Sequence, residues 1–190
     1  TIDEMTTTMK WHKWGEPLAA GLNLLYTIGY MQSWAGSFVA AGIGSVLFAW
    51  ICWQKKLLAE AGLWAFYVGF ALYGWWNASG AWPENLPVPQ PETHLLSLAI
   101  AGVGWAALAR ALRKTSKADL PIWDAFTTVG SLLATFWMVQ FVHANWLYWM
   151  VVDAAAVGLY LRKKLRWGAL LMTIYTLLAI EGYWDFLAWI

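Results

Sequence analysis

The sequence is poor in charge, cysteine and histidine, and each shortage closes off a class of function. Only 12% of its 190 residues are Asp, Glu, Lys or Arg, against 61% apolar ones, about half the charge of an ordinary soluble domain. The single cysteine, Cys52, can form neither an intramolecular disulfide nor a thiolate metal site, and is expected as a small apolar filler. The histidines, His12, His94 and His143, are scattered, with no HExxH and no carboxylate–histidine pairing. No metal, no other cofactor and no enzymatic activity are therefore expected. A net charge of +1, with no basic stripe carrying stacked aromatics, argues against nucleic acid. The last apolar run, residues 167–190, has no lysine and so cannot hold a retinal Schiff base. GIGS at 42–45 and DAAAVG at 153–158 are small-residue stretches suited to close helix approach; neither is a phosphate loop or a nucleophile elbow. No cleavable signal peptide is apparent, because Lys10 and Lys13 precede a run that belongs to the core.

What the chain does have is apolar length and 17 tryptophans. Runs long enough to cross a bilayer as helix lie at about 16–33, 35–53, 57–78, 94–112, 121–142, 145–161 and 167–190. The expected class is an all-α integral membrane protein with seven transmembrane helices. Residues 77–93, NASGAWPENLPVPQPET, hold the one extended polar connection and are expected as a loop. Tryptophans such as Trp11, Trp14, Trp34 and Trp53 are expected as interface anchors. With seven crossings, all 12 Lys and Arg fall on the side of the amino terminus. The positive-inside rule makes that side cytoplasmic and places the carboxyl terminus outside.

The chain also repeats. A shift of 108 residues aligns KKL at 55–57 with KKL at 163–165, Tyr67 with Tyr175, Gly74 with Gly182, Trp76 with Trp184, and Glu16 with Asp124. Two related three-helix units follow, about 16–78 and about 121–190, within one transmembrane domain spanning residues 1–190. Matching lysines on the same side require an odd crossing between the copies, and the helix at 94–112 supplies it. The expected fold is two parallel repeats joined by a linker helix, three plus one plus three, with a substrate site at the repeat interface near the midplane.

The candidate site begins on span six. Trp146, Trp149 and Asp153 stand at i, i+3 and i+7, on one helix face. An ionised carboxylate half-way along a span costs at least about 2.5–3.5 kcal/mol on insertion scales. A cationic ligand would offset that cost, since indole faces and a carboxylate both attract cations; the alternative is a helix–helix contact. Tyr67 and Tyr175, at equivalent repeat positions, are candidate pore-lining residues. Glu181 is an acid within span seven and hence a candidate. Asn145, opening span six, is read as its N-cap or as a ligand contact. Glu16 and Asp124 open spans one and five, where carboxylates suit helix N-termini.

The order EPLAAGLNLLY, FYVGFALYGWW, PIWDAF, NWLYWMVVD and LLAIEGYW, covering about Glu16 to Trp184, resembles the PnuC-type vitamin transporters, whose fold is shared by the SWEET sugar transporters. The most specific element is the Trp-x-x-Trp-x-x-x-Asn signature of nicotinamide riboside carriers. Trp146 and Trp149 match it, and Asp153 replaces the amide. Trp64 stands where those carriers are expected to have glutamine, which adds it to the candidate substrate-binding residues. The resemblance implies a vitamin facilitator of the bacterial inner membrane, working by alternating access, with a homotrimer as its assembly. A carboxylate for an amide favours thiamine, which brings a positive ring and amino donors. Nicotinamide riboside, also cationic, is the alternative; riboflavin, a sugar or other small solute, and proton-coupled transport through Asp153 stand further off.

Overall fold

A segment that buries apolar side chains all round must satisfy its backbone hydrogen bonds internally, and helix is the one local way to do so. The computed structural model describes residues 2–31, 34, 36–76, 88–114, 118–140 and 142–188. Among them are seven α-helices and no strand: α1 (Ile2–Met31), α2 (Ser37–Gln54), α3 (Leu58–Trp76), α4 (Pro91–Arg113), α5 (Pro121–Val139), α6 (Asn145–Arg162) and α7 (Arg166–Ala188). Among the described residues, α2 and α4 are long and apolar enough to cross a membrane on length and composition alone. The other helices dilute their aliphatic residues with Trp, Tyr, Gly and hydroxyl side chains. Large apolar side chains nevertheless face outward on all seven, among them Leu18, Val46, Leu72, Val103, Phe136, Val151 and Leu177. A water-soluble surface does not tolerate that density.

Two boundaries depart from the apolar runs. Helix α1 begins at Ile2 rather than near residue 16, because hydropathy marks where lipid starts, whereas a helix continues until something breaks it. Glu16 therefore sits inside α1, beside Pro17, and not at a helix start. Helix α4 begins at Pro91, inside the stretch expected as loop; proline is at home in the first turn, where its missing N–H has no partner to lose. Glu84 and the rest of 77–87 lie outside the described residues.

The helices form two compact units. Residues 1–55 and 60–80 make the first, with α1, α2 and most of α3; residues 56–59 and 81–190 make the second, with α4 to α7. In the first, α1 packs on α2 through Gly44, where an added Cβ would fall 2.4 Å from Asn23 Nδ2. In the second, α4 packs on α5, α5 on α6 and α6 on α7.

Equivalent positions share their turn chemistry. Lys55 and Lys163 are the C-caps of α2 and α6, and Lys56 and Lys164 follow in the left-handed region at φ 60° and 59°. The buried Leu57 and Leu165 come next. After α6 the Leu165 N–H bonds the Tyr160 carbonyl at 2.9 Å and the Lys164 N–H that of Leu161 at 3.0 Å, the paired bonds of a Schellman ending with an apolar residue closing it.

Candidate functional site

The tight turn at 163–165 makes α6 and α7 an antiparallel hairpin. Near its far end α7 meets Trp146: a Cβ on Gly182 would lie 2.8 Å from Trp146 Cε2 and Cζ2 and 3.1 Å from Cδ2. The Trp146 indole thus rests on α7 where α7 has no side chain. Seven residues along α6 from Trp146 is Asp153, and seven back along α7 from Gly182 is Tyr175. Both steps are about 10.5 Å at 1.5 Å per residue, so Asp153 and Tyr175 stand level on facing stripes. Asp153 is 4% exposed, while Trp149 and Tyr175 are partly buried. Helix geometry therefore puts aromatic surface, a phenol and a buried carboxylate at neighbouring levels along the two packed helices.

The first unit repeats the arrangement with a different polar group. Phe38, the mate of Trp146, presses on Gly74, the mate of Gly182, with a Cβ there falling 2.1 Å from Phe38 Cε1. Ser45, the mate of Asp153, is 2% exposed. Polar residues recur at this level in both repeats, and only the second carries charge. The 108-residue alignment contains this signal, which a search for matching residues passes over because Ser45 and Asp153 differ.

The remaining candidates divide. Trp64 is buried in the first unit, stacked on Phe48 at 4.6 Å and edge-on to Tyr67 at 5.7 Å. Glu181 is exposed on α7, about 100° around the helix from the Gly182 stripe. Asn145 is not the N-cap: Ala144 holds that place without a side-chain cap bond. The Asn145 amide instead donates to the Val142 carbonyl at 2.7 Å, leaving its Oδ1 buried without a hydrogen-bond partner. The backbone enters α6 in helical conformation at Ala144, so an asparagine one residue later points away from the amides a cap would serve. Asp124 fulfils a structural role on a different helix from its own. Fully buried, its Oδ2 accepts the Ala59 N–H at 3.0 Å, satisfying a donor in the first turn of α3.

Polar and aromatic contacts that residue spacing does not foretell join α6 and α7 to their neighbours. His94 Nδ1 and Tyr148 Oη are 2.9 Å apart, and the His94 ring lies 4.5 Å from Trp137. His143 stacks on Tyr183 at 5.0 Å, and burial holds its imidazole below the ordinary range. At the opposite end Lys163 pairs with Asp119 and, by that hydrogen bond, lowers the carboxyl's pKa. Among the described residues no three His, Cys, Asp or Glu side chains gather into a metal site.

A model of the nicotinamide mononucleotide transporter family matches residues 13–190. The chain belongs to that family. The crystal structure of a protein described as the vitamin B3 transporter PnuC superposes with a TM-score of 0.72, covering 96% of this chain and 84% of that one at 20% identity. At that identity the likeness speaks for the fold. No curated protein matches the sequence significantly. The PnuC-type resemblance and the all-α, seven-helix class are both upheld, and with them a membrane transporter.

Proposed function

We propose that this transporter carries a cationic pyridine nucleoside of the nicotinamide riboside type, held by the α6–α7 hairpin. The observation that carries this is the burial of Asp153, which helix geometry puts level with Tyr175 and on one stripe with Trp146 and Trp149. A pyridinium ring on the Trp149 indole face gains roughly 0.5–2 kcal/mol, and a carboxylate adds direct attraction in a site from which water is partly excluded. The sequence alone tips toward thiamine because Asp153 replaces the signature amide. The family's description and that of the solved relative both point to nicotinamide compounds, and that moves the preference to the former alternative. Within those compounds the chemistry favours the nucleoside over the phosphorylated nucleotide. Asp153 and Glu181 are acids, no lysine or arginine stands among the candidate residues, and the one basic residue of α6, Arg162, lies at its far end. A phosphate would meet repulsion there without a partner.

Trp149, Tyr175 and Asp153 take the ring in this account, Trp146 fixes the floor of the site against Gly182, and Asn145 Oδ1 is an acceptor for a ligand donor. Trp64 and Tyr67 lie in the first unit, where Trp64 packs on Phe48. Transport by rocking of the two repeats without ion coupling, assembly as a homotrimer, and an inner-membrane orientation with the amino terminus cytoplasmic belong to the same proposal. Uptake of labelled nicotinamide riboside into proteoliposomes, competed by unlabelled nicotinamide riboside, its 5′-phosphate, thiamine and riboflavin, tests it. Nicotinamide riboside should compete at the lowest concentration, and an imposed proton gradient should not change the plateau. Thiamine competing more than tenfold better would return the assignment to thiamine.

A further inference from the structure

A second site lies in the second unit, away from the hairpin face. Between α4 and the start of α5 a groove of about 530 Å³ is lined by Trp105, Arg113, Leu120, Pro121, Ile122, Trp123 and Phe126. That is within the range of roughly 300–1,000 Å³ that accommodates a small ligand.

Its walls are fixed and apolar. Trp105 donates its indole N–H to the Ile122 carbonyl at 2.9 Å, and Trp123 donates to that of Ala155 at 3.0 Å. Both indole donors are thereby consumed, and the rings offer the groove carbon surface. Trp105 meets Phe126 edge-on at 5.5 Å. Trp123 is seated over Gly158, where a Cβ would come within 2.7 Å of its ring.

One rim is cationic. Arg113 lines the groove, and the Arg162 guanidinium lies 4.5 Å from the centroid of the Trp123 ring. Arg113 thus lines the groove itself and Arg162 lies against the Trp123 ring that walls it, both at the helix end where the chain's basic residues gather. An apolar trough with guanidinium at one end is complementary to an amphiphile with an anionic head. It is the wrong sign for the cationic vitamin, which Arg113 and Arg162 would repel.

We propose that this groove binds an anionic phospholipid, its phosphate on Arg113 and Arg162 and an acyl chain along Trp105, Ile122 and Phe126. Guanidinium is the group best matched to phosphate oxygens, and basic pockets between membrane helices are a recognised setting for anionic headgroups. The site is independent of the vitamin assignment, since it shares no residue with the proposed vitamin site.

Native mass spectrometry and thermal unfolding in detergent, with phosphatidylglycerol or phosphatidylcholine of identical chains added, test the proposal. The parent should retain phosphatidylglycerol at least fivefold more than phosphatidylcholine and unfold at higher temperature with it. Inorganic phosphate should not substitute, because the apolar wall then gains nothing. Arg113→Gln changes an exposed side chain and should erase the preference while leaving the unfolding temperature in phosphatidylcholine unchanged. Arg162→Lys keeps the charge and should retain part of it. Ile122→Trp, which fills the trough from its exposed edge, should displace the lipid. An undiminished preference in Arg113→Gln and Ile122→Trp would overturn the proposal. So would disulfide-linked dimers from Ile122→Cys on a Cys52→Ala background, since the groove would then be an interface between copies.

Discussion

Gly182→Ala is the substitution whose effect follows most directly from the hairpin's geometry. The new methyl would lie 2.8 Å from two atoms of the Trp146 ring and 3.1 Å from a third. A rigid indole cannot bend aside as the tip of a long chain can, so the ring must rotate or α6 must shift. Overpacking of this kind costs about 1–3 kcal/mol. Against it stands the gain of replacing glycine by alanine inside a helix, about 0.5–1 kcal/mol. The net expectation is a destabilisation of up to about 2.5 kcal/mol. Gly69→Ala is the control, because nothing lies within 4 Å of a Cβ there, and it should be neutral or stabilising. Thermal unfolding of both variants in one detergent measures the difference. Adding Trp146→Phe to Gly182→Ala should recover much of the loss, since the smaller ring vacates the methyl's space. If Gly182→Ala stabilises as much as Gly69→Ala, the Trp146–Gly182 contact does not set the hairpin.

Three further outcomes follow. Trp149→Ala should weaken nicotinamide riboside binding more than tenfold by calorimetric titration, with an unchanged unfolding temperature in the absence of ligand. Unaltered affinity would make Trp149 a packing residue. Asp124→Ala strands the buried Ala59 N–H and should cost about 1–3 kcal/mol; Asp124→Asn keeps an acceptor and should cost less, as unfolding temperatures would report. His143 titrates below its ordinary range because burial disfavours the imidazolium, so the unfolded chain takes up a proton more readily than the folded one. Its contribution is then complete above the unfolded value and is lost as pH falls below about 6.5. The drop in unfolding temperature from pH 7.5 to 5.5 should be smaller in His143→Gln, and an equal drop would refute this.

Helices were easy to read from the sequence, because a run of apolar residues long enough to cross lipid has few other ways to satisfy its backbone. Their ends were harder. Ile2 opens α1 and Pro91 opens α4, since helix starts answer to local breakers and caps while the apolar pattern marks the membrane. Asn145 has the residue type of an N-cap, but Ala144 already has helical backbone angles. Trp146, Trp149 and Asp153 were legible as one stripe because i, i+3 and i+7 spacing needs a single helix. The contact of Trp146 with Gly182 was not, although both residues stood out, because pairing across two helices depends on the length of the turn between them. The arginine-rimmed groove was hidden for the same reason: Arg113, Trp123 and Arg162 come from three helices.

Whether Asp153 meets a positive ring is tested directly by one titration. Nicotinamide riboside and its neutral 1,4-dihydro form, nearly identical in shape, are titrated into the parent and into Asp153→Asn. The parent should bind the cation more than tenfold tighter than the neutral form. The variant should lose about 1–3 kcal/mol of that discrimination, the scale of a hydrogen bond to a charged group, while binding the neutral form as before. The same preference for the cation in both proteins would contradict the assignment and leave Asp153 as a contact between helices.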